Sequence, residues 1–217
     1  MSRPCWPAGE RLFRALVILG VPLRWWCRLE VHGVDELRKP GAVLLVSNHD
    51  SSVAQLALAD TGMRNGRPVR FLTRASLWRL WPLGVLLDGI GQIPIRRGAG
   101  DVGAIEAAVS ALRAGEVVAV FPEGRLSRGQ SLRAHRGVAR LVKAAPEARI
   151  VLAAVSGGTD LVRFPRRPRV VVDLFAPRGG RPLPDEDDAE LARRLLEEIR
   201  RRVPPAVASR CHATGRP

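Results

Sequence analysis

The chain has 217 residues, 46% of them hydrophobic, and a formal charge of +14. That length supports one sizeable core with no linker dividing it. Its three cysteines (Cys5, Cys27, Cys211) lie far apart without CxxC spacing, which argues against a disulfide framework or structural zinc site and for a reducing, cytosolic setting. The charge would draw nucleic acid, an anionic membrane or a phosphorylated compound alike. No nucleic-acid-reading motif and no aromatic interleaving accompanies it, so nucleic acid is not an expected partner.

The first element is "RLFRALVILGVPLRWWCRL", residues 11–29, an apolar run flanked by arginines and closed by Trp25 and Trp26. The run is too short to span a bilayer, which takes roughly 20 apolar residues, and no small-residue cleavage site follows it. It reads as an N-terminal amphipathic helix, residues 1–30, lying in an anionic membrane interface. The other reading is a helix packed on the core.

Next, β-type runs alternate with helix-type segments. The strands are expected at 42–47, 68–73, 91–95, 116–121, 149–156 and 169–176, several of them continuously apolar as in strands covered on both faces. Helical patterns fill 52–60, 101–115 and 136–145, with Gly115 as a C-terminal stop. "PDEDDAELARRLLEEIRRRV", 184–203, is an amphipathic helix with acids early and arginines late, as the macrodipole prefers. This alternation predicts a single α/β domain, 31–205, with a mixed sheet flanked by helices, and a loose tail at 206–217.

Polar clusters stand at the ends of the first, third and fourth strands: "NHDSS", "IPIRRG" and "FPEGRLSRG". Ligands of open α/β sheets bind at the carboxyl ends of strands, so these clusters can converge. His49 can accept a hydroxyl proton near neutral pH. Arg97 can hold a phosphate through two parallel hydrogen bonds, and Glu123 can orient a hydroxyl or pair with an arginine. Each cluster also has a plain reading. "SNHDSS" suits a helix cap, Arg96 and Arg97 suit a solvated edge, and "FPEG" suits a turn in which Pro122 fixes φ and Gly124 relieves strain.

Taken in order and spacing, "NHDSSVA", "GQIPIRR" and "FPEGRLS" resemble the motifs NHxSxxD, GxIPVDR and FPEGTRS of the PlsC-like glycerolipid acyltransferases, typified by 1-acyl-glycerol-3-phosphate acyltransferase. The resemblance covers residues 41–155 and includes Arg74 where lysine is usual. It implies the PlsC-like fold and acyl transfer from an acyl-CoA or acyl carrier protein thioester to a lysophospholipid hydroxyl, in phospholipid biosynthesis. The protein would be peripheral, on the cytoplasmic face of the cell membrane. His49 would be the base, with Arg97, Glu123, Gly124 and Arg125 binding substrate. Thioester chemistry of this kind needs a base and charge stabilisation, so neither metal nor cofactor is expected.

Departures from the motifs bear on the chemistry. Ala54 stands where the motif has aspartate, Arg125 and Leu126 where threonine and arginine are usual, and Ala153, Ala154 and Val155 where a "PV" strand is usual. Losing the equivalent carboxylate of a serine protease costs about 10⁴ in kcat. Asp50 is the candidate replacement, although adjacent helical residues point about 100° apart. Asp60 lies farther off. The competing function is a protein that keeps the fold and binds lipid or acyl thioester without catalysis.

Overall fold

The computed structural model describes residues 26–96, 101–128, 130–158, 168–180 and 186–204. Among these residues seven strands form one mixed sheet in the order β1-β7-β6-β2-β5-β3-β4. They are β1 (Arg28–His32), β2 (Val43–Ser47), β3 (Val69–Arg74), β4 (Ile93–Ile95), β5 (Val117–Val120), β6 (Arg149–Ser156) and β7 (Arg169–Phe175). Strands β6, β2, β5, β3 and β4 run parallel, so their carboxyl ends share one edge. β7 runs against β6 and is itself parallel to β1.

The described helices are α1 (Asp35–Arg38), α2 (Ser52–Arg64), α3 (Trp81–Gly89), α4 (Val102–Arg113), α5 (Gly137–Ala144) and α6 (Asp188–Arg202), with a 3-10 turn at Ala75–Arg79 before α3. Every residue of β2 is buried, because side chains of alternate residues enter cores on opposite faces. Leu44 and Val46 pack with α4, α5 and α6 on one face, through Leu112, Leu141, Leu195 and Ile199. Val43 and Leu45 pack with α2 on the other, through Ala54, Ala57 and Leu58. Asp187 caps α6 by accepting from the Ala189 and Glu190 amides, in a capping box with Glu190.

The sheet begins earlier than expected. Residues 28 to 30, placed by the sequence in the N-terminal helix, belong to β1, and only Trp26 of the described part of that segment is helical. Residues 1–25 of the expected interface helix, and the whole of the expected tail, lie outside the described residues. Gly33 after β1 has φ of 67°, and a Cβ there would lie 1.8 Å from the Leu174 carbonyl oxygen. Only glycine lets the chain cross β7 so closely. None of the described helices is long and apolar enough to cross a membrane.

Candidate active site

The site is built where β2 ends. Asn48 is fully buried and takes the place of a strand residue: its Oδ1 accepts from the Val155 amide at 2.8 Å and its Nδ2 donates to the Val155 carbonyl at 2.8 Å. This clamp ties the β2 turn to β6 at Val155, in the stretch that stands where a "PV" strand is usual. Asn48→Ala would leave both Val155 groups buried without partners, at about 1–3 kcal/mol each. The expected result is a drop of about 2–6 kcal/mol in unfolding free energy by urea titration. An unchanged midpoint would mean that the clamp contributes nothing.

His49 follows, only 6% exposed, with its ring stacked on Phe121 at 4.1 Å between centroids and 20° between planes. Phe71 lies behind Phe121 at 6.0 Å, so the imidazole rests on an aromatic floor from β3 and the end of β5. Both main-chain groups of His49 are held by the loop after β5. Its amide donates to Glu123 Oε2 at 2.8 Å, and its carbonyl accepts from the Ser127 amide at 2.8 Å. Two segments far apart in sequence are thereby locked into one turn.

Glu123 is 1% exposed, and a carboxylate at that depth needs charge compensation. Arg200 of α6 supplies it. Its Nη2 donates to Glu123 Oε1, and its guanidinium also grips Asp50 as a fork, Nη1 to Oδ2 at 2.9 Å and Nη2 to Oδ1 at 2.7 Å. Asp50 further accepts from Asn48 Nδ2 at 2.7 Å and from the Ser127 hydroxyl. Burial would raise the Asp50 carboxyl, but the hydrogen bonds from Arg200, Ser127 and Asn48 and the Arg200 charge outweigh it and hold it below the ordinary carboxylate value. Burial likewise pulls the Arg200 guanidinium down, and its bonds to Asp50 and Glu123 more than restore it, so it remains charged.

Of the residues expected at the site, His49, Asp50 and Glu123 therefore meet at one place. Gly124 turns the loop with φ of 64°, and a Cβ there would press on His135 Cδ2 at 2.8 Å. Arg125 is exposed on the same loop. Arg97 lies outside the described residues. Ala54 sits on α2, 2% exposed within an apolar cluster with Val53, Ala57 and Leu58. Asp60, two turns on, pairs with Arg64 at 3.0 Å.

Sequence reasoning missed Arg200, Ser127 and the Asn48 clamp. The arginines closing α6 read as complements to the helix dipole, which does not single out Arg200 among "RRR" as the one turned inward. A signal did exist: Ile199 closes the apolar stripe of Leu191, Leu195 and Leu196, and its neighbour flanks that buried face.

The chain is similar to known proteins in sequence and in fold. The family profile described as Acyltransferase matches residues 28–157. The lyso-ornithine lipid O-acyltransferase of Pseudomonas aeruginosa is 32% identical over 204 aligned residues, covering 82% of this chain and 76% of that protein. The crystal structure of the 1-acyl-sn-glycerophosphate (LPA) acyltransferase PlsC from Thermotoga maritima superposes with a TM-score of 0.67 at 17% identity, covering 90% of this chain and 80% of that one, a likeness of fold. With its motifs brought to one edge of the sheet and the family profile spanning β1 to β6, the chain belongs to the PlsC-like acyltransferase family.

Proposed function

We propose that the protein transfers a fatty acyl group from an acyl thioester, on CoA or acyl carrier protein, to the free hydroxyl of a lysophospholipid-type acceptor. The observation that carries this reading is the way His49 is held: a buried imidazole at the carboxyl end of β2, with amide and carbonyl both fixed by the loop after β5. Such fixation holds a base in position before substrate arrives. His49 takes the acceptor's hydroxyl proton as the oxygen attacks the thioester carbonyl. The tetrahedral adduct collapses with cleavage of the C–S bond, and the imidazolium returns the proton to the departing thiolate.

Ester and free thiol are the products. Arg97 is the proposed ligand of the acceptor's anionic group, with Arg125 and the Glu123–Gly124 turn completing the substrate contacts. The Asp50–Arg200–Glu123 network holds the turn that carries the base. Acceptor and product are membrane lipids, which favours a peripheral enzyme at the cytoplasmic face, in phospholipid biosynthesis.

Ala54 favours a second reading, lipid or acyl-thioester binding without catalysis, because its methyl group offers the imidazole no carboxylate. Thiol release separates the two. Purified protein is given acyl-CoA or acyl carrier protein thioester, with lysophosphatidate, lyso-ornithine lipid or no acceptor. Release that requires an acceptor and yields the diacyl product supports transfer. Thioester binding in a titration without release under any pairing selects the binding reading.

A further inference from the structure

The 3-10 turn and α3 expose large apolar side chains in succession. Leu77, Leu80, Trp81 and Val85 are 36%, 59%, 79% and 54% exposed. The other described large apolar residues this exposed, Trp26, Leu56, Val102 and Leu126, stand singly on separate elements. Single exposed apolar residues are ordinary, whereas a contiguous cluster marks a surface that something covers.

The rim of this cluster is basic. A cavity of about 600 Å³ opens on the same turn, bounded by Arg74, Arg79 and Arg96. Among the described residues no carboxylate lines the cavity, and none of the three guanidinium groups is within ion-pair distance of one. Asp88, the acid of α3, is turned to Trp78, accepting from its Nε1 at 2.7 Å. Because β3 and β4 run parallel to β2 and β5, this face lies at the same sheet edge as His49 and Glu123.

We propose that the 3-10 turn and α3 form a docking face for an anionic lipid bilayer. Leu80, Trp81 and Val85 enter the boundary between headgroups and acyl chains, and Arg74, Arg79 and Arg96 meet lipid phosphates. Tryptophan and leucine beside arginine suit a surface that is apolar below and anionic above. A second copy of the chain fits poorly, because a twofold contact through this face would set one arginine cluster against the same cluster. Docking on this face does not depend on acyl transfer, since the bilayer is bound whether or not the site turns over. It also differs from anchoring by residues 11–29.

The test is co-sedimentation of the full chain with vesicles of phosphatidylcholine alone or containing phosphatidylglycerol, without acyl donor. The wild type is expected to bind the anionic vesicles at least tenfold more tightly than the neutral ones. Leu80→Ser with Trp81→Ser, and separately Arg79→Gln with Arg96→Gln, should each weaken anionic binding at least tenfold, with thermal melting unchanged. Leu56→Ser, an exposed apolar control on α2, should bind as the wild type does. Binding retained by the Leu80/Trp81 variant overturns the proposal and assigns the lipid contact to another segment. Absence of wild-type binding overturns it as well, as does a wild-type dimer in sedimentation that this variant dissociates without any change in vesicle binding.

Discussion

Arg200→Met is expected to lower the melting temperature by about 6–20 °C at neutral pH. Removing one partner of a buried charge cluster costs about 3–5 kcal/mol, and a domain of this size loses about 2–4 °C per kcal/mol. Methionine fills much of the volume but leaves Asp50 and Glu123, both near-buried acids, without the guanidinium that joins them. The pH dependence follows from two opposite shifts. In the intact protein the Asp50 carboxyl is lowered, so its contribution is present above its unfolded value and is lost as pH falls through the lowered one. In the variant two buried like charges remain, at least one carboxyl moves upward, and its penalty grows as pH rises through the raised value. The gap between wild type and variant should therefore be widest near pH 7 and narrow toward about pH 4, near the ordinary carboxylate range. Arg200→Lys, which keeps the charge but not the fork, should fall between them. Differential scanning calorimetry across this range is the check, and coincident melting of Arg200→Met and wild type at pH 7 would refute the role given to the network.

That network also shows where the sequence stops being informative. Elements with a strong local period were readable: 42–47 and 149–156 as buried strands, 101–115 as α4, and the amphipathic run ending in α6. β1 was not, because "RLEVH" at an edge of the sheet is only half-covered and alternates too briefly to declare a period. The reversal of β7 could not be read either, since strand direction depends on a connection and not on the strand's own residues. At the site, the spacing of "NHDSS" and "FPEG" pointed to residues that do meet, because each follows a strand and parallel strands end together. The partner of Asp50 and Glu123 stands 150 residues beyond Asp50 on α6, where its place beside the apolar stripe marks partial burial but not which distant acids it meets. Local pattern reports local burial, whereas a charge cluster is closed by topology.

The largest effect on rate is expected at His49. His49→Ala removes the proposed base, a contribution of about 10²–10⁴ for general-base catalysis, and should leave only the background from positioning. Ala54→Asp works in the opposite direction and tests how the imidazole is supported. Its carboxylate would enter a site now 2% exposed among apolar side chains, so the variant should melt at a lower temperature than the wild type. If the introduced group reaches the ring, it stabilises the imidazolium formed in the transition state, and transfer should rise by up to about 10⁴, the amount the equivalent carboxylate supplies in a serine protease. An opposite charge beside the ring also raises the imidazole pKa, so the acid limb of the rate profile should move to higher pH. Asp50→Asn discriminates between sources of support. Should Asp50 already serve the ring while gripping Arg200, this variant would lose orders of magnitude in rate, and Ala54→Asp would gain nothing, because two carboxylates would crowd one imidazole. Single-turnover thiol release by the three variants, each followed from pH 5 to 9, separates these cases. A lower melting temperature in Ala54→Asp with no gain in rate and no shift of the acid limb, beside an Asp50→Asn variant as fast as wild type, would show that His49 works without a carboxylate partner.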